Sequence, residues 1–323
     1  MQPITAQGRP QATRGRWIWV LSGTLTIAAI GAFGSWAIVR ASNSPGGPTP
    51  FSAVPTRTVI VTRPVTALNV QSYGAPIKVT TAPGPVRIAE SVTYDTADGG
   101  PPTVTDTDSR GLLTLAAPAC ANANCSVGFS VTVPSGVTVT ANASGGPVTV
   151  VGTGAADIDS GGGPVYAAGI SGPLTVNSEG GGVTVTGAGA TQINSGGGPV
   201  SASTIQGPLS VAAEGGGVEA SGVTGALNVD TGGGPLSAAS LTSPSAVVRG
   251  EGGGVSLGFL TAPASVRVDT GGGDASLSVP GGPYAVTADT SGSQESVLIA
   301  TSPGAASSIS VTTEGGNLQI GPA

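Results

Sequence analysis

Pairs of carboxylates are the residues in this chain whose types and spacing best fit chemistry. Asp157 and Asp159 stand two apart in "AADIDS", on one face of an expected strand, and Glu214 and Glu219 bracket "GGGV". Two such groups on either side of a sugar linkage could serve as acid and base in a glycosidase, or with Arg249 or Arg267 in a polysaccharide lyase. The plainer reading is solvated charge on an outer face, because nothing around them marks a cleft. Other chemistry is short of parts. Histidine is absent, which rules out a Ser-His-Asp arrangement, and a Ser-Lys dyad has only Lys78 to draw on. "DTGGGD", Asp269 to Asp274, comes nearest to a calcium-binding β-roll corner, but it occurs once and lacks the nonapeptide period. The phosphate-cradling GxxxxGK[ST] is missing, and no helix is expected after any glycine run. Tyr166 and Tyr284 are isolated and form no stacking platform. We therefore assign no catalytic residue, cofactor or metal ligand, and read the chain as non-enzymatic.

What must position these residues is a repeat. Triple glycines begin at Gly161, Gly180, Gly196, Gly215, Gly232, Gly252 and Gly271, at intervals of 19, 16, 19, 17, 20 and 19 residues. With 55 glycines and 26 prolines the composition alone would read as low complexity, but a period held this long signals a solenoid or array. The residue before each triplet alternates as Ser160, Glu179, Ser195, Glu214, Thr231, Glu251 and Thr270, so units of about 18 pair into a double repeat of about 35. Between triplets, apolar residues recur at alternate positions, as in Leu174-Thr-Val176, Val183-Thr-Val185 and Leu209-Ser-Val211. That is the period of a strand with one face buried. A unit so small cannot bury its inner face alone, so each strand must stack on its equivalents.

The expected fold is all-β, a parallel β-helix or β-solenoid of Gly-rich repeats. The corners are Gly161, Gly162 and Gly163; Gly180, Gly181 and Gly182; Gly196, Gly197 and Gly198; Gly215, Gly216 and Gly217; Gly232, Gly233 and Gly234; Gly252, Gly253 and Gly254; and Gly271, Gly272 and Gly273. Glycine suits a corner where φ turns positive or successive turns approach too closely for a Cβ. Glu179, Glu214 and Glu251 are the most regular exposed charges and the candidate interaction column. If one unit makes one rung, Ser195 and Thr231 separate these glutamates to about 9.6 Å; if one rung takes two units, the glutamates stack directly. The sequence leaves both rung sizes open. Residues 284–310 are expected to fold over the last rung, since an uncovered solenoid end invites self-association.

Residues 17–39, "WIWVLSGTLTIAAIGAFGSWAIV", are 23 residues without a charge, enough to cross a bilayer as a helix. Arg9, Arg14 and Arg16 precede them with no acid, which places residues 1–16 in the cytoplasm and exports the rest. The rival is a cleaved signal peptide ending at Val39-Arg40-Ala41, against which the apolar run is long. Residues 40–57 are a Pro/Gly/Ser-rich linker and 58–323 the β-domain, with 58–140 a cap-like part and 141–323 the Gly-rich repeats. Cys120 and Cys125, the only cysteines, most simply close a short loop as a disulfide in an exported chain. No Lys or Arg occurs between Gly111 and Val248, so nucleic acid is not an expected partner.

The texture of "SGGGPV", "EGGGV" and "TGGGPL", with "LNVQSYGAPIKV" and "CSVGFSVTVPSGVTVTANASGGPVTV", resembles the DUF4097 family of adhesin-like β-strand repeat proteins, over roughly 58–320. The resemblance implies a parallel β-helical domain at a bacterial cell envelope behind a single membrane anchor, with no catalytic residues to carry over. Family members often show Gly-Asp at the corner, where this chain reads Gly-Gly-Gly-Pro or Gly-Gly-Gly-Val. The expected role is that of a membrane-anchored envelope protein for adhesion or envelope organisation, with an envelope polymer or surface protein as partner. A sensor or scaffold in envelope-stress signalling is the alternative, and a polysaccharide-active enzyme the third reading.

Overall fold

The computed structural model describes residues 51–95, 104–117 and 125–323. Alternation decides its architecture. Along Leu174–Ser178 and Leu209–Ala213 every second side chain is buried, and the residues between carry Thr, Asn, Ser or Ala outward. The inner side chains are almost all Val, Ile, Leu and Ala, exposed by no more than a few per cent, and they form one continuous core. Each buried aliphatic side chain contributes about 1.5–3 kcal/mol of transfer free energy. Small β-branched residues suit the thin space between two stacked sheets.

The register settles the rung. Val148, Val165, Val183, Val200, Val218, Leu236, Val255 and Ala275 are successive parallel partners, at steps of 17, 18, 17, 18, 18, 19 and 20 residues. One unit therefore makes one rung of two strands. The first strands of successive units form one parallel sheet, running from Thr138–Ser144 through Ala155–Ser160, Leu174–Ser178 and Thr191–Ser195 to Ser265–Asp269. The second strands form the other, from Val148–Val151 to Ala275–Val279.

Both ends depart from chain order. Ser265–Asp269 pairs with Ser307–Thr312, and Tyr284–Asp289 lies on the far side of that strand. In the second sheet Ala275–Val279 pairs with Leu318–Pro322, beyond which lies Glu295–Val297. The chain thus builds its outermost rung first and returns to fill the gap beneath it. Residues 284–297 are a full rung rather than a flap, which corrects the expectation of a fold-over cap across 284–310. At the other end, Ala67–Tyr73 and Ile77–Thr81 are likewise held between a later rung on each side, with Leu112–Ala116 and Cys125–Val133 outside them. Val86–Asp95, Phe51–Val61 and Thr105–Ser109 then add antiparallel strands. Because Phe51–Val61 pairs with Val86–Asp95, the last residues of the expected 40–57 linker are strand. The expected membrane span 17–39 lies outside the described residues, as does Cys120; Cys125 is disulfide-bonded.

Charge closes this antiparallel end. The Arg57 guanidinium lies 3.7 Å from Glu90 and 3.8 Å from Asp106, and Arg63 lies 3.1 Å from Asp108. Glu90 is only 4% exposed, and one of its oxygens has no hydrogen-bond partner. Burial pushes its carboxyl above the usual range, Arg57 pulls it down by less, and Asp106 adds to the rise. A folded-state pKa above the unfolded one means that ionised Glu90 costs stability, a cost that sets in as pH rises above the unfolded value. Glu90→Gln should therefore raise the melting temperature at pH 7, and the gain should vanish below about pH 4, where the carboxyl is protonated in both states. Thermal melts at the two pH values check this.

Candidate functional site: the repeat corner and its grooves

Each corner is a five-residue run ahead of the first inner residue of the second sheet. Its first position is a buried Ser or Thr in most rungs, and in all of these but Thr231, whose buried Oγ1 has no hydrogen-bond partner, the hydroxyl donates across the corner to the carbonyl three residues on. Ser160 bonds Gly163 at 2.7 Å, and Ser178 and Ser195 bond Gly181 and Gly198 at 2.9 Å. Thr270 and Thr313 do the same to Gly273 and Gly316. This local bond satisfies a buried hydroxyl and fixes the corner. The carbonyls it fixes belong to a glycine column. A Cβ added at Gly181, Gly198, Gly216, Gly234 or Gly253 would lie 2.1–2.3 Å from the same-position carbonyl of the preceding rung. The backbones stack too closely there for any side chain. In SGGGP and TGGGP corners this glycine is the third of the triplet, and in EGGGV corners it is the middle one.

That one-residue offset changes which residues separate the glutamates and leaves their two-rung spacing as expected. Aligned by register, the residues interposed between Glu179, Glu214 and Glu251 are Gly196 and Gly232, not Ser195 and Thr231, which sit one position earlier among the buried hydroxyls. A Cβ at Gly196 would lie 2.6 Å from the Glu179 carbonyl, and one at Gly271 would lie 3.2 Å from the Glu251 Cα. Backbone crowding, beyond charge repulsion, enforces the alternation. Sequence order also hid a fourth member. Because the last strands are inserted out of order, Glu314 occupies the same corner position two rungs beyond Glu251.

Two grooves flank the column of corners. On the first-sheet side a polar groove of about 970 Å³ runs over Asn142, Asp159, Asn177 and Asn194, with Glu179 and Glu214 on its rim. Its floor is a side-chain ladder in register. Asn194 Nδ2 donates to Asn177 Oδ1, and Asn177 Nδ2 donates to Asp159 Oδ1, each at 2.7 Å. On the second-sheet side a more apolar groove of about 620 Å³ is lined by Pro147, Pro164, Pro199 and Pro235, with Gly182 and Gly217 as gaps and Tyr166 and Glu219 on its floor. Glu214 and Glu219 therefore face different grooves and do not converge. Asp157 and Asp159 are both exposed on the outer face. Arg249 stands in register between Asp230 and Asp269, yet Asp230 and Asp269 each accept a corner N–H, from Gly232 and Gly271, and Arg267 lies in a separate outward column. Asp274 accepts the Asn317 N–H at 2.7 Å, so the carboxylates of "DTGGGD" serve corners. Among the described residues no group of three or more acids or cysteines could hold a metal. Tyr284 is fully buried, its hydroxyl donating to the Pro280 carbonyl at 2.6 Å.

The polar groove offers fixed amide donors and acceptors with carboxylates at the edge. That chemistry suits a neutral or cationic chain rich in hydroxyl or amide groups, and it repels polyanions. Sequence reasoning found the glutamates but missed the asparagine ladder; the signal was Asn or Asp recurring at the residue before the corner, at 142, 159, 177, 194 and 230.

No family model matches the chain, and no curated protein matches it. Solved structures do. A "putative adhesin" from Parabacteroides merdae aligns at 11% identity and a TM-score of 0.32, covering 86% of this chain and 98% of that one. A "putative adhesin" from Bacteroides fragilis aligns at 13% and 0.30, covering 84% and 97%. A "putative cell adhesion protein" from Clostridium sporogenes aligns at 11% and 0.22, covering 83% and 98%.

Proposed function

We propose that this chain is a non-enzymatic adhesion module that holds a linear, repeating envelope polymer or an extended surface protein along its polar groove. The observation that carries this reading is the Asp159–Asn177–Asn194 ladder beside Glu179 and Glu214, a polar track repeated along the solenoid axis. A fixed row of amides binds a repeating ligand with many small equivalent contacts, which add through effective concentration. The resemblance of the repeat texture to the DUF4097 family supports the assignment. So does the apolar run 17–39, which would anchor the body to a bacterial membrane with its C-terminal part on the outer side.

The experiment is capture of a panel of envelope polysaccharides and extracellular matrix proteins by the compact unit Thr49–Ala323, with and without calcium. Saturable binding is expected, weakened about tenfold by Glu214→Ala, which removes about 1.4 kcal/mol. Binding that is unchanged in Glu214→Ala and in Asn177→Ala would place the ligand elsewhere and reject the groove.

A further inference from the structure

We infer that the outermost rung, residues 284–297, is a self-association surface at which two copies of this chain meet end to end. Tyr284–Asp289 pairs with Ser307–Thr312 on one side only. On its other side, Ala300 and Ser302 bond Tyr284, and no further pairing follows. The Asp289 carbonyl accepts from Thr313 on the paired side, and main-chain groups alternate sides along a strand. Val286 and Ala288 therefore point their N–H and C=O groups outward. In Glu295–Val297, Gln294 and Leu298 bond the Leu318–Pro322 strand, so Glu295 and Val297 point outward by the same alternation. Two short edges with four outward-facing residues form a template for strand addition.

The core is open at the same place. Inward residues one rung below, Ile309 and Val311, are 0% and 1% exposed, whereas Val286, Ala288, Val297 and Ile299 are only partly covered; Leu298, which alternates with Val297 and Ile299, lies on the outer face beside this opening and is 66% exposed. The chemistry of this end, unpaired main chain around aliphatic side chains, is matched by another copy of itself. The opposite end is of a different kind. There the sheets finish in antiparallel strands closed by Arg57, Glu90, Asp106, Arg63 and Asp108. With the 284–297 end meeting its own copy, the contact is isologous and closes as a two-fold dimer instead of a filament. A two-fold axis normal to the sheets sets each edge antiparallel to its own copy. Asp289 and Glu295 are exposed at this end of both copies, so salt should tighten the dimer by screening them.

Sedimentation equilibrium of the full chain in density-matched detergent, with hydrogen exchange on the same samples, tests this. The expected result is a concentration-dependent monomer–dimer equilibrium, with exchange at the Val286, Ala288, Glu295 and Val297 amides slowed as concentration rises. Leu298→Glu, at an exposed side chain, and Ala288→Pro, which removes an outward N–H and no bond of the fold, should each weaken association at least about tenfold. Should Ala288→Pro lower the melting temperature, Leu298→Glu alone decides. A monomer at every concentration overturns the inference. So does a dimer in which these amides exchange unchanged, or one that Leu298→Glu leaves intact, since that dimer forms elsewhere.

Discussion

Gly216→Val lowers the unfolding free energy of the repeat region by about 3 kcal/mol or more, while Gly217→Ala changes it by less than about 0.5 kcal/mol. The neighbours differ in what lies over them. A Cβ at Gly216 would sit 2.2 Å from the Gly198 carbonyl, which neighbouring rungs hold in place, so the backbones must separate. A Cβ at Gly217 would meet the Pro235 ring at 3.6 Å, ordinary contact, with no left-handed φ to strain it. Gly215 isolates the remaining cause. Its φ of +113° is unfavourable for a side chain, but nothing lies within 4 Å, so Gly215→Ala should fall between the two, at about 1–2 kcal/mol. Denaturant titrations of the three variants separate close approach from backbone handedness within one triplet. Equal losses at Gly216 and Gly217 would show that the triplets act through flexibility and would remove the stacked-carbonyl account.

Truncation after Ala306 gives the second large effect. In a solenoid stacked in chain order, removing the last strands trims one end and leaves the rest. Here Ser307–Thr312 and Leu318–Pro322 lie beneath residues 284–297 and supply the parallel partners of that rung. Removing them also takes Ile309, Val311, Leu318 and Ile320 from the core, all at most 2% exposed and each contributing about 1.5–3 kcal/mol. The outermost rung should lose all hydrogen-exchange protection, Tyr284 should become accessible, and protease should cut within 284–297. If those residues kept their protection, they would have slid down onto Ser265–Asp269 and Ala275–Val279, and the inserted order would not be what holds them.

Much of this was legible in the sequence, and the limits are physical. Alternation at Leu174-Thr-Val176 and its equivalents announced strands with one buried face, and the triplet period announced stacking. Rung size was not legible, because unit and double unit share the same local pattern and only the register Val165 to Val183 to Val200 distinguishes them. The glutamate column was half read. Counting from the triplet placed Glu179 beside Ser160 and Ser195, whereas stacking places it beside Gly161 and Gly196, since the two corner types distribute their glycines differently around the crowded carbonyl. Glu314 was missed because nothing local reports that the chain doubles back beneath its own outermost rung. The asparagine ladder was overlooked for a related reason. Asn142, Asn177 and Asn194 are ordinary singly and become a track only when parallel register lines them up.

The central claim, that a periodic groove reads a periodic ligand, is tested most directly by affinity as a function of ligand length. Oligomers of increasing size, prepared from whichever polymer the Thr49–Ala323 unit captures, are titrated against it. The groove from Asn142 to Glu214 spans four rung steps, or about 19 Å at the usual strand spacing. Affinity should climb with each added repeat up to about that length and then level off. The shortest oligomer binding as tightly as the longest would mean a single local site, and the solenoid would then be a support for that site instead of the recognition surface itself.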